Sequence, residues 1–305
     1  MGLRRIVNKR MGAFIIAASA LSTVAAAAAP DVVPLTFINN LPFVSITVGA
    51  ASTRLMIDTG GQLGISMPEA TVAKAGSVTM LDHRTKFHDL NGKVFEVQDF
   101  VAERVVVGST HFAKVNGRIH TEWGGAPEGP EAELTRARQA GAIGLDAFGD
   151  RPLMFDYGHR TLTIFAPGDA PQAGHSGWQQ LQLDYGKEGP YVTLVVGGKP
   201  LKFVLDTGAS VNVVNPDALG SASGSALCAG APASKQDCDP RLLPDVRDAG
   251  GRPLGALKAE RARLGGAPFD GLLGAAFFAE HRVVFDVAAH RLLIAPANAG
   301  ADQAP

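Results

Sequence analysis

Two aspartates, Asp58 and Asp206, each open the tripeptide Asp-Thr-Gly, and each stands at the end of a strongly apolar run. If a fold brings the two carboxyls together, both cannot ionise easily, so one keeps its proton and the pair titrates as a unit. The ionised member can then act as general base on a water, while the protonated member polarises a carbonyl and later protonates a leaving amine. That chemistry is hydrolysis, and it calls for no metal, no cofactor and no covalent nucleophile. The symmetry of the pattern assigns neither role to either acid. Gly60 and Gly208 let the backbone come close to the carboxylates, where N–H groups can donate to them.

The aspartates belong to a longer repeat. Pro42, Phe43, Val44 and Gly49 recur as Pro190, Tyr191, Val192 and Gly197 at the offset of 148 residues that separates the two acids. Further on, Ala102, Glu103 and Arg104 match Ala259, Glu260 and Arg261. Ala142, Ile143 and Gly144 match Leu272, Leu273 and Gly274, and Phe155 and Asp156 match Phe285 and Asp286. Between these landmarks each copy has turn residues flanked by extended segments, and Asn-Gly and Gly-Gly suit tight hairpins because both residues tolerate positive φ. The flap candidates are therefore His88, Asp89, Leu90, Asn91 and Gly92 in the first copy, and Asp248, Gly250 and Gly251 in the second.

Short β-rich runs punctuated by Gly and Pro predict a mostly β protein, among them Phe43 to Val48, Arg54 to Ile57, Val101 to Val107 and Tyr191 to Val196. Two short helices are expected, over Pro68 to Ala75 and Glu131 to Gln139; Arg136 and Arg138 near the end of the second suit the helix dipole. The copies differ mainly by an insert near 119–140, which carries Trp123, and another near 221–240, which carries both cysteines. Insertions between matched landmarks run over the surface.

The 305 residues are 46% hydrophobic and 19% charged, enough apolar side chains for two modest cores. Arg4, Arg5, Lys9 and Arg10 precede an uncharged, alanine-rich stretch ending in small residues, so residues 1–29 are expected to be a signal peptide and the protein periplasmic or secreted. Retention of that stretch as an anchor is the alternative; after its removal no stable membrane span is expected. Removal also leaves 24 Lys+Arg against 29 Asp+Glu, with no basic stripe, which argues against nucleic acid as a partner. In an exported protein Cys228 and Cys238 are expected to form a disulfide, against the alternative of two free thiols.

An apolar strand, Asp-Thr-Gly, a flap-like hairpin, an apolar-apolar-Gly element and a closing Phe-Asp strand pair together resemble one lobe of an aspartic protease. With two copies in one chain, the sequence is similar to a bacterial retropepsin-like family whose lobes are fused in tandem, as in pepsins. The resemblance implies a bilobal acid-protease fold of two β-barrel lobes, at 31–166 and 177–296; the Pro and Gly content of 167–176 marks that stretch as the linker between them, and the small, polar residues 297–305 are expected to be a disordered tail. It implies an aspartic endopeptidase with Asp58 and Asp206 as the catalytic dyad and a peptide or protein as substrate. It also implies that the Thr59 and Thr207 hydroxyls bond to the backbone of the opposite loop and support the dyad.

Gly61 and Ala209 stand where pepsins commonly place a hydroxyl after the glycine, so weakly acidic to neutral operation is expected. Tyr157, Tyr185 and Tyr191 all lie outside the flap candidates. The eight histidines lack His-Glu-x-x-His spacing and nothing reads Gly-x-Ser-x-Gly, so zincin and serine-hydrolase chemistry find no support. A glycosidase also uses two carboxylates, but nothing in its chemistry calls for a repeated Thr-Gly. The competing reading from another class is a catalytically silent periplasmic protein of the same fold that binds peptides or serves as a scaffold.

Overall fold

The structure, a computed structural model, describes residues 2, 29–61, 64–88, 94–120, 132–173, 177–219 and 240–297. Most of the expected signal segment, the flap residues Asp89, Leu90, Asn91 and Gly92, Trp123, and Cys228 and Cys238 lie outside the described residues.

The chain is mostly β, and its strands fall into two equivalent series. The first comprises β1 (Asp31–Pro34), β2 (Thr36–Ile38), β3 (Leu41–Val48), β4 (Ala51–Ile57), β5 (Ile65–Met67), β6 (Val78–His88), β7 (Val94–Val107), β8 (Thr110–Ile119), β9 (Ala142–Ile143), β10 (Leu153–Asp156) and β11 (Thr161–Ile164). The second comprises β12 (Gln179–Gln182), β13 (Asp184–Gly186), β14 (Gly189–Val196), β15 (Lys199–Leu205), β16 (Val213–Val214), β17 (Pro240–Asp248), β18 (Pro253–Arg261), β19 (Gly271–Leu273), β20 (His281–Asp286) and β21 (Arg291–Pro296). The short helices are α1 (Glu69–Ala75), α2 (Ala132–Arg138), α3 (Pro216–Leu219) and α4 (Ala275–Glu280), so the two expected helices are present with slightly tighter bounds.

Each series closes a six-stranded ring. In the first, the pairings run β3-β4-β9-β5-β8-β7 and return to β3; in the second, β14-β15-β19-β16-β18-β17 and return to β14. Closure removes the open edges that an isolated sheet would expose. Alternation along β4 shows how the sequence builds the ring: Leu55 and Ile57 are wholly buried in the main core, whereas Met56 faces the other way. There it joins Ile38, Leu41 and Phe43 beneath Leu134 and Ala137 of α2. A strand covered on both faces reads as a continuous apolar run, which is why the stretch before each aspartate lacks polar alternation.

A third sheet, ordered β1-β11-β10-β20-β21-β12, takes three strands from each series and joins them at β10–β20, where Phe155 pairs with Val283. Phe155 meets Phe278 and Phe285 edge-on with ring centroids 5.8 and 5.6 Å apart. Burying such a ring is worth about 1.5–3 kcal/mol, and these rings hold the two lobes together. The repeated Phe-Asp landmark thereby acquires its meaning. The Phe fills the joint, and the Asp accepts a turn N–H, from His159 at 2.9 Å for Asp156 and from Ala289 at 3.2 Å for Asp286.

The strand pairings correct one sequence-level alignment. β5 runs parallel to β8 with Ile65 opposite Gly117, and its counterpart β16 runs parallel to β18 with Val213 opposite Glu260. Likewise β3 meets the end of β7, and β14 meets the end of β17. The β17–β18 hairpin is therefore the counterpart of β7–β8, not of β6–β7, and Ala259, Glu260 and Arg261 do not correspond to Ala102, Glu103 and Arg104. A three-residue match on amphipathic strands is too short to set register; the pairing partner sets it.

Candidate active site

Asp58 follows β4 and Asp206 follows β15, each the strand that pairs in parallel with the apolar element of its own lobe. The Asp58 N–H donates to Ile143 O at 3.0 Å, and the Asp206 N–H donates to Leu273 O at 2.9 Å. After those apolar residues the chain runs behind the aspartate loops. A Cβ on Gly274 would lie 2.3 Å from Val211 O and 2.7 Å from Ala209 O, so the second-lobe copy of the apolar-apolar-Gly landmark ends in Gly because nothing larger fits.

The two loops lock onto each other through their threonines. Thr59 Oγ1 donates to Leu205 O at 2.8 Å and accepts the Thr207 N–H at 3.0 Å. Reciprocally, Thr207 Oγ1 donates to Ile57 O at 2.7 Å and accepts the Thr59 N–H at 3.1 Å. Both threonines are wholly buried, and all four of these hydrogen bonds cross from one loop to the other, so three polar groups of each loop find partners on its counterpart.

This lock brings Asp58 and Asp206 together, and their carboxyls share a hydrogen bond. Gly60 and Gly208 make room for the approach: a Cβ on Gly60 would stand 2.5 Å from Asp206 Cγ, and one on Gly208 would stand 3.1 Å from Asp58 Cγ. Backbone donors then support the carboxylates, Gly61 N–H to Asp58 Oδ1 at 3.0 Å and Gly208 N–H to Asp206 Oδ1 at 2.8 Å. Both side chains keep partial exposure, so water can reach them. Burial raises both carboxyls above the usual carboxylate range, and burial together with the neighbouring Asp58 charge pushes Asp206 up to about 7. A pair of this kind holds one proton over a wide pH interval and can give and take it in one site.

Of the flap candidates, His88 ends β6, opposite Val94 of β7, in a hairpin whose turn lies outside the described residues. The second set is a correction. Asp248, Gly250 and Gly251 form a turn against the edge of the joining sheet rather than a flap over the dyad. Asp248 is buried there, accepting from Gln179 Nε2 of β12 at 3.2 Å and from Arg252 Nε at 2.7 Å. The equivalent β7–β8 turn is held at the opposite edge by Asp31 of β1, which accepts the Ser109 N–H at 2.7 Å. Gly-Gly signals a tight turn wherever one occurs, and Gly251, at φ +83°, supplies one here. The second-half stretch that follows α3 and precedes β17, residues 220–239, lies outside the described residues.

Two neighbours of the site were not singled out from the sequence. Asn212 Oδ1 accepts the N–H groups of Gly274 and Phe277 at 2.8 and 3.3 Å, tying the start of α4 to the loop that follows Asp206. Arg138, read from sequence only as a favourable charge at the end of a helix, donates from Nη2 to Gly208 O at 3.2 Å, across the lobe boundary. Neither carries a motif; what they do depends on a neighbour far away in sequence. Among the described residues, no three metal-ligating side chains gather in one place.

No family model matches the chain, and no curated protein matches it in sequence. Among solved structures it is similar to the crystal structure of an aspartic proteinase from Irpex lacteus, with a TM-score of 0.60 at 14% identity. The match covers 90% of this chain and 99% of that one. At that identity the likeness carries the fold: this chain has the bilobal, pepsin-like aspartic-proteinase architecture.

Proposed function

We propose that this protein is an aspartic endopeptidase, built from two retropepsin-like lobes in tandem, that hydrolyses peptide bonds with a water activated between Asp58 and Asp206. The observation that carries the reading is the meeting of two acids across the lobe boundary, hydrogen-bonded to each other and held by reciprocal threonines. The ionised acid takes a proton from water as its oxygen attacks the scissile carbonyl carbon, and the other acid gives its proton to the carbonyl oxygen. The tetrahedral intermediate collapses when the C–N bond breaks, the amine nitrogen takes up the proton that came from water, and a hydroxyl of the intermediate returns its proton to the other acid as the new carbonyl forms. The products are a free carboxyl and a free amine, and the dyad regains its single proton. In this reading the lobes span about 31–166 and 177–296, and the 1–29 segment directs export to the bacterial envelope.

The pH dependence follows from the two-step titration. Below the lower step both acids are protonated and no base remains; above the upper step both are ionised and no acid remains. With Asp206 pushed up to about 7, turnover should fall above about pH 7. Because burial also raises Asp58 above its ordinary 3.8, the acid-side loss should lie above that value, leaving a maximum in the mildly acidic range.

The test is digestion of a mixed peptide library by the purified protein from about pH 3 to about pH 8, read by mass spectrometry. Internal cleavages that peak at mildly acidic pH are expected. Peptide binding without cleavage anywhere in that range would replace this reading with the silent peptide-binding one.

A further inference from the structure

The tandem repeat makes each lobe a comparison for the other, and the surroundings of one cation distinguish them. At the offset of 148 residues, Arg54 on β4 corresponds to Lys202 on β15: Arg54 pairs with Ser45 as Lys202 pairs with Thr193. In the second lobe this cation is neutralised from within. Lys202 Nζ lies 3.2 Å from Glu188 Oε2, in the β13–β14 turn, and 3.8 Å from the centroid of the Tyr191 ring, while the Lys202 N–H donates to Asp270 Oδ2 at 2.8 Å.

The first lobe keeps the cation and lacks both acids. Asn40 stands at the position of Glu188, and Ala140, just before the Gly141 that matches Gly271, stands at that of Asp270. α2 then adds a second cation, Arg136. Met56, on the same outer face of β4 as Arg54, lies beneath Leu134 and Ala137, whereas beside Arg54 a cavity of about 340 Å³ remains between α2, β2 and β4. Thr53, Arg54, Arg136 and Ala140 line it. Both arginines are exposed, and among the described residues neither has an acidic partner; Glu133 also lines the cavity, without an ion pair to either. Exposure keeps the two guanidinia hydrated, so the lobe can fold with no anion between them.

We propose that this cavity is a carboxylate-binding site: an acidic group from outside the chain takes, between Arg54 and Arg136, the place that Glu188 and Asp270 take around Lys202. A guanidinium presents a planar fork of donors that matches a carboxylate, where a lysine offers a point charge, so arginine at this position suits an anion held by geometry. The second lobe also indicates the kind of anion, since carboxylates are what the fold itself sets around the equivalent cation. The volume suits a single acidic side chain or a small free carboxylate rather than a bulky cofactor. The site stands apart from the dyad and does not depend on its chemistry.

An NMR titration of the 15N-labelled protein tests it, read at the amides of Arg54, Arg136 and Ala140. The probes are N-acetylglutamate N-methylamide, its glutamine analogue, glutarate and inorganic phosphate. The blocked glutamate should shift these amides saturably and bind at least about fivefold more tightly than the glutamine analogue, and the difference should shrink as salt rises to about 0.5 M. Arg54→Gln and Arg136→Gln should each remove most of that preference. Ala140→Asp, which returns an internal acid to the position of Asp270, should remove it altogether. Should Ala140→Asp fail to fold, the two arginine variants decide, since both side chains are exposed. Glutarate binding as well as the blocked glutamate would identify the ligand as a free small carboxylate, and binding of the blocked glutamate alone would identify it as an acidic side chain of a polypeptide. Equal affinity for the glutamate and glutamine probes, a preference that survives both arginine variants, or tighter binding of phosphate than of either carboxylate would overturn the proposal. No step requires turnover, so each result holds whether or not the dyad cleaves peptides.

Discussion

Asp58→Asn and Asp206→Asn should each lower kcat/KM on a cleaved peptide about 10³-fold or more while the fold stays intact, because general acid–base catalysis supplies factors of that order. Asparagine preserves the shape of the side chain, and its carbonyl oxygen can still accept the N–H that Gly61 or Gly208 donates. The protonation pattern changes instead. With Asp58 neutral, the negative charge that helps raise Asp206 is gone, so Asp206 ionises at lower pH and no proton is left for the substrate carbonyl. With Asp206 neutral, Asp58 keeps its base character but has no acid partner. Steady-state kinetics beside circular dichroism checks the expectation. Turnover within tenfold of the parent in either folded variant would mean that the chemistry does not depend on the pair.

The second large effect is on stability. Thr207→Val keeps the shape and removes one hydroxyl, leaving the buried Thr59 N–H without its acceptor and Ile57 O without its donor. Each buried polar group stripped of its partner costs about 1–3 kcal/mol, so a loss of about 2–4 kcal/mol is expected in urea unfolding. Thr207→Ser, which retains the oxygen, should recover most of it. Activity should fall alongside, because the same bonds hold the two aspartates in register, and a misplacement of about 1 Å can cost 10²-fold. A Thr207→Val protein within about 0.5 kcal/mol of the parent would show that the interlocked loops owe little to these bonds.

Much of this was legible in the chain because the repeat is written in local chemistry. The apolar run before each aspartate is a strand buried on both faces, and strands of that kind stand out in sequence. The Ile143-Gly144 and Leu273-Gly274 elements are equally visible, since a strand beside the aspartate must be apolar and the residue after it must be small. The hairpin equivalence was not legible: Asn-Gly and Gly-Gly mark turns of many kinds, and only the pairings of β17 with β14 and of β18 with β16 reveal which hairpin is which. Arg138 was hidden for a related reason. Its partner, Gly208 O, lies 70 residues away on the other lobe, and a basic residue in the last turn of a helix already has a sufficient local explanation.

The most direct measurement concerns recognition of the tetrahedral intermediate that the dyad is proposed to stabilise. A library peptide that the protein cleaves well, remade with a hydroxyethylene group in place of its scissile amide, should bind at least 10²-fold more tightly than the parent peptide, as transition-state analogues do. In calorimetry that gain should vanish in Asp58→Asn and in Asp206→Asn. Equal affinity for the analogue in the parent protein and both variants would contradict the account, because the peptide would then be held without reference to the paired acids.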